Sequence, residues 1–201
     1  MSKKISTSHA LINIFKRATK RAFRCYPELY DKDVSEHICS QILTEFVRAD
    51  KFFWLKDQKG SHVIEVPEMC LEGDVMCRAK SLEKEMAVQE YIGNFSLFMA
   101  GLFPTISLGT KGSFISKNRM KDRLYMELYL RLHPAKKGMD YYIIQGERAY
   151  EKASRIYKGL NDIKSSLLKK LALRFEAYVC LMQTIHDYLL SPSLNLLCDI
   201  Q

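Results

Sequence analysis

Cys70 and Cys77, with Asp74 between them, and His37-Ile38-Cys39 upstream are the side chains best suited by type to hold a metal. Their spacing argues against it. Structural zinc sites pair cysteines with about two to four residues between them, and no Cys-x-x-Cys, Glu-x-x-His or His-Glu-x-x-His occurs anywhere in the chain. Thiols without a metal pack as small hydrophobes, so no metal and no cofactor is expected. Nucleophilic catalysis fares no better. The five histidines (His9, His37, His62, His133 and His186) are scattered, and Gly-x-Ser-x-Gly is absent. "GTKGS" at 109–113 has the composition of a phosphate loop without its spacing or a preceding strand. No catalytic residue is assigned, and an enzyme would need a histidine or cysteine in a cleft beside a carboxylate.

One segment, "YYIIQGERAYEKASRIY", invites a ligand reading. Tyr142, Gln145 and Tyr150 are candidates to line a small-molecule cleft between helices. Against that stands the ordinary use of tyrosine at helical spacing, a core residue with its hydroxyl at the rim. Gly146 in the same helix, and Gly93 in an earlier one, cost about 1 kcal/mol each relative to Ala. Both therefore predict close helix crossings, with each other as the first partner to test.

The elements that must position these residues are helices. Over 7–26, Leu11, Phe15, Ala18 and Ala22 recur at steps of four and three, opposite Lys16, Arg17, Lys20, Arg21 and Arg24. Pro27 ends that helix. The next starts at "DVSE", with Asp33 as expected cap and Val34, Ile38, Ile42, Phe46 and Phe53 as its apolar stripe. "FFWLKDQKGSHVIEV" reads as two short strands about Asp-Gln-Lys-Gly, a β-hairpin near 52–66. Helices follow over 67–78, 82–100 with Ser81 as cap, 117–132, 141–157 with Asp140 as cap, and 162–190; residues 105–116 form a loop. The fold class is all-α: an irregular bundle of about seven helices in one domain over 1–190, with a tail over 191–201. "YIGNFSLFMAGLFPTISLG" is too polar and too punctuated to span a membrane, so no transmembrane segment is expected.

Net charge is +8, and its arrangement says more than its size. Residues 1–27 hold seven cations and no acid, residues 28–90 hold fourteen acids against eight bases, and residues 107–137 hold eight bases against two acids. Alternating blocks either neutralise one another across the fold or leave a patterned surface potential. The six cysteines form no paired motif and no secretory leader precedes them, which points to reduced thiols and a cytoplasmic protein.

"YIGNFSLFMAGLFP" and "YYIIQGERAYEKAS", each preceded by an aromatic-rich helix, resemble a group of uncharacterised bacterial helical proteins. That resemblance spans about residues 35–185 and implies a bacterial helical fold without an activity.

Three readings compete for "FKRATKRAFR" at 15–24, which packs five cations into ten residues. A structural or protein-partner role, including self-association, ranks first. Nucleic-acid binding through Lys16, Arg17, Lys20, Arg21 and Arg24, joined by Arg119 and Arg123, is the alternative. Contact with a membrane surface, or a targeting role for this acid-free amphipathic N-terminus, ranks last. The functional expectation is a non-catalytic interaction or regulatory module acting through a charged surface.

Overall fold

A computed structural model describes residues 9–103 and 139–191, all that follows concerning those residues alone. Eight α-helices appear: α1 His9–Cys25, α2 Lys32–His37, α3 Ala49–Phe52, α4 Val66–Glu72, α5 Leu82–Leu102, α6 Met139–Tyr157, α7 Asp162–Leu173 and α8 Phe175–Leu190. A 3₁₀ turn, Pro27–Leu29, links α1 to α2, and a π-helix, Ile38–Thr44, extends α2. The expected loop at 105–116, helix at 117–132 and tail from 192 lie outside the described residues. No described helix is long and apolar enough to cross a membrane.

α1 buries Phe15, Ala18, Ala22 and Phe23 and turns its lysines outward, as its periodicity requires. Tyr26, forced out of helical geometry by Pro27, ends it. The cap of the next helix differs from expectation. Asp31, in extended backbone, accepts hydrogen bonds from the Asp33 and Val34 amides at 3.0 and 3.2 Å, while Asp33 lies inside the first turn. Val34, Ile38, Ile42 and Phe46 are buried on one stripe. Phe53 is not part of it, because the chain leaves the helical region at Arg48.

The expected β-hairpin near 52–66 does not form. Lys56 and His62 make one isolated antiparallel bridge, and no strand occurs among the described residues. The reason is local. Asp57 Oδ1 accepts from the amides of Lys59 (2.8 Å) and Ser61 (2.9 Å), and Gly60 takes a positive φ, so the turn is closed by a side chain. Leu55 and Val63 pin the loop to the core while the residues between them face solvent. Two short runs without a third strand do not sustain a sheet.

α5 is the axis of the molecule, buried on nearly every side from Val88 to Leu102 and packed against α4, α6, α8 and the π-helix. Ser81 caps it by accepting from the Lys84 amide. Both helical glycines serve close approaches, but not to each other. A methyl group on Gly93 would overlap the Tyr150 ring, and one on Gly146 would overlap Phe175 and Ser96. The aromatic rings of Phe46, Phe52, Tyr91, Phe95 and Phe98 fill the end of the core nearest α3.

The predicted single helix over 162–190 is broken in two. Arg174 leaves helical geometry (φ −128°, ψ 30°) and its guanidinium donates to the Glu28 carbonyl at 2.9 Å. This break seats Phe175 against Gly146 and Tyr150 and sends α8 along α1 and α5. The gain is buried aromatic area, which outweighs one interrupted helical turn.

Candidate interaction surface

On α1, Lys16, Lys20 and Arg24 stand four residues apart, so they share one face, and all three are exposed. Among the described residues none of them has a carboxylate within 4 Å. Several cations that face the acidic block are paired instead. Lys164 pairs with Glu90 at 2.8 Å, Lys170 with Asp31 at 2.6 Å, Arg78 with Glu72 at 2.7 Å, and Lys152 with Glu85 at 2.5 Å. The acidic block from 28 to 90 is thus neutralised largely by its own bases and by α6 and α7. Arg21 is half-buried, its guanidinium 4.4 Å above the Tyr188 ring, and fastens α1 to α8. Arg17 is exposed beside it. Arg119 and Arg123 lie outside the described residues.

Where α1 and the α2–π-helix fold back on one another they leave an open groove of about 580 Å³. Lys16 and Lys20 form one wall, and Lys32, Ser35 and Glu36 stand on the other. Thr19 and Cys39 lie at the floor, both buried. Glu45 closes one end and is held by Arg48 (3.8 Å) and Lys51 (3.5 Å). The π-helix continues the second wall with Ser40, Gln41 and Thr44. Such widened turns are uncommon and gather at functional sites. Burial pushes the Cys39 thiol up, despite the charge of Lys16, so it stays protonated at neutral pH and is a poor nucleophile.

Tyr142, Gln145 and Tyr150 are placed by the core. Tyr150 is fully buried and Gln145 nearly so, while Tyr142 is half-buried against Phe95 and Tyr141. The Tyr150 hydroxyl donates to Asn94 Oδ1 at 2.7 Å. His37 Nε2 lies 2.8 Å from the same oxygen. That oxygen can only accept, so Nε2 carries the ring proton and His37 is held as one neutral tautomer. Burial pushes the His37 imidazole below its ordinary value, against the opposing pull of Asn94 and Glu90. One helical turn away, Glu90 accepts from the Tyr157 hydroxyl at 3.0 Å and from Lys164.

No family model, curated protein or solved structure matches the chain. Function is therefore argued from the two constellations themselves. Among the described residues no group of three His, Cys, Asp or Glu side chains gathers as a metal would require. Sequence reasoning missed the His37–Asn94–Tyr150 centre entirely. A polar Asn94 inside the apolar run "YIGNFSLF" was its one visible trace, since a buried amide needs partners. It also missed the groove, although the cation spacing on α1 was plain.

Proposed function

We propose that this protein is a non-catalytic helical interaction module that docks an acidic segment of a partner protein on α1 and the groove beside it. The carrying observation is the contrast in charge pairing. Lys16, Lys20, Arg24 and, across the groove, Lys32 meet no carboxylate, while the cations of α6 and α7 that face the acidic block are paired. Exposed cations along about two turns of helix attract an anionic partner and speed its approach. Glu36, on the opposite wall, can accept from the amides of a polypeptide, donors that a phosphate backbone does not offer. Tyr30, exposed and lining the groove, adds an apolar anchor of the kind protein interfaces use.

The test is binding of labelled polyglutamate, and of generic single- and double-stranded DNA and RNA, across a salt series. The control is the triple variant Lys16→Gln, Lys20→Gln, Arg24→Gln. Polyglutamate binding that weakens with salt and is lost in the triple variant supports the reading. Tighter, equally salt-sensitive binding of nucleic acid would replace it with the polyanion alternative. Absence of both would sink it.

A further inference from the structure

The floor of the groove holds a hydroxyl without an oxygen or nitrogen partner. Thr19 is 1% exposed, and its Oγ1 is screened from solvent yet makes no hydrogen bond. A threonine within a helix ordinarily bonds back to the preceding turn. Three other helical hydroxyls do so: Thr184 Oγ1 to the Cys180 carbonyl (3.1 Å), Ser40 Oγ to Glu36 (2.7 Å) and Thr44 Oγ1 to Cys39 (2.8 Å); Ser96 Oγ in the core, like Thr19, does not. The cost of leaving a buried hydroxyl unmet is the same for Thr19 as for any other. The Cys39 thiol lies within hydrogen-bonding reach of it, but a thiol is a weak partner and leaves the hydroxyl largely unmet. Thr19 lines the groove, and a threonine in a helix has two open χ1 wells, so its hydroxyl is not locked to one direction.

We propose that the groove is a phosphate-monoester site, with Lys16, Lys20 and Lys32 on the charged oxygens and the Thr19 hydroxyl donating from the floor. This builds on the interaction-module reading by naming what the acidic partner carries. A carboxylate presents two oxygens in one plane. A phosphate monoester presents three strong acceptors and close to two charges, and so meets donors converging from both walls and a floor. Glu36 has no cation within 4 Å among the described residues. It supplies an acceptor for an amide or hydroxyl beside the phosphate, which selects an ester over the free ion.

The experiment follows backbone amide resonances of the full-length isotope-labelled protein during titration with inorganic phosphate, O-phosphoserine, and sulfate at matched ionic strength. Shifts centred on Thr19, Lys20 and Ser35–Cys39, stronger for O-phosphoserine than for phosphate and weakest for sulfate, are expected. Thr19→Val should weaken O-phosphoserine about tenfold, the loss of one hydrogen bond to a charged group. Thr19→Ser should restore most of it, Lys32→Gln should weaken binding, and Lys169→Gln, an exposed lysine on α7, should change nothing. Equal responses to sulfate and O-phosphoserine, or binding indifferent to Thr19→Val, would overturn the assignment, as would no response at all. A phosphoserine peptide that outbinds O-phosphoserine places the ester on a partner protein; equal affinities make it a small metabolite. Polyglutamate binding that survives Thr19→Val alongside no phosphate response removes this inference and leaves the docking reading intact. A Thr19-dependent phosphate response without polyglutamate binding does the reverse.

Discussion

The helix that runs from Lys32 to Thr44 has two faces with opposite fates. Toward the core, His37 meets Asn94, Asn94 meets Tyr150, and each donor finds an acceptor. Toward the groove, Thr19 has only the weak Cys39 thiol beside it, and three lysines have no carboxylate within 4 Å. A fold gains by completing buried polar groups, because an unmet one costs about 1–3 kcal/mol. The complete centre therefore reads as architecture, tying α2, α5 and α6 together. The incomplete groove reads as a place left for another molecule. Lysines paired with acids elsewhere in the same molecule strengthen that contrast, since the means to neutralise cations was available.

The contrast breaks most directly at its complete side. Asn94→Ala strands the His37 N–H and the Tyr150 hydroxyl in a buried site, and should cost about 3–5 kcal/mol by denaturant unfolding. A loss under about 1 kcal/mol would show that the centre is not structural.

Acid tests the same centre more gently. His37 has a folded pKa below its ordinary 6.5, so the unfolded chain binds the proton first. Its contribution is fully present above about pH 6.5 and falls by about 1.4 kcal/mol per pH unit below it, until the folded pKa is reached. Gln at position 37 can still donate to Asn94 but cannot charge. His37→Gln should therefore flatten that part of the slope in denaturation curves at pH 7.5 and 5.5; identical slopes would clear His37 of the role.

On the incomplete side the sign reverses. Thr19→Val keeps the shape and removes the unmet hydroxyl, so thermal and chemical denaturation should show a protein more stable by about 1 kcal/mol. A destabilised variant would mean that the hydroxyl was satisfied after all. The smallest effect belongs to the triple variant of Lys16, Lys20 and Arg24 to Gln. Exposed side chains without partners should change stability by less than about 0.5 kcal/mol, even as partner binding is lost. A large destabilisation there would show that these cations serve the fold.

Helices were legible wherever a local signal was strong. The stripe of α1, the Pro27 break and the Ser81 cap stand within one residue or two of expectation. Small side-chain contacts overrode the pattern elsewhere. Asp57 took the amides of Lys59 and Ser61 and closed a turn where alternation suggested strands. Asp31 capped a helix that Asp33 seemed equally able to cap, because Asp31 alone has extended backbone there.

The all-α class, the cation face of α1 and the need for close contact at Gly93 and Gly146 were determined by the sequence itself, since each follows from residue type and spacing over a few turns. Which partner each glycine would meet, the break at Arg174 and the pairing of His37 with Asn94 and Tyr150 were decided only by tertiary structure. Those partners are 57 and 56 residues apart in the chain, and no local periodicity carries that information. The groove belongs to the same class. Its walls come from two helices, and its unmet hydroxyl is defined by what the rest of the fold fails to bring to it.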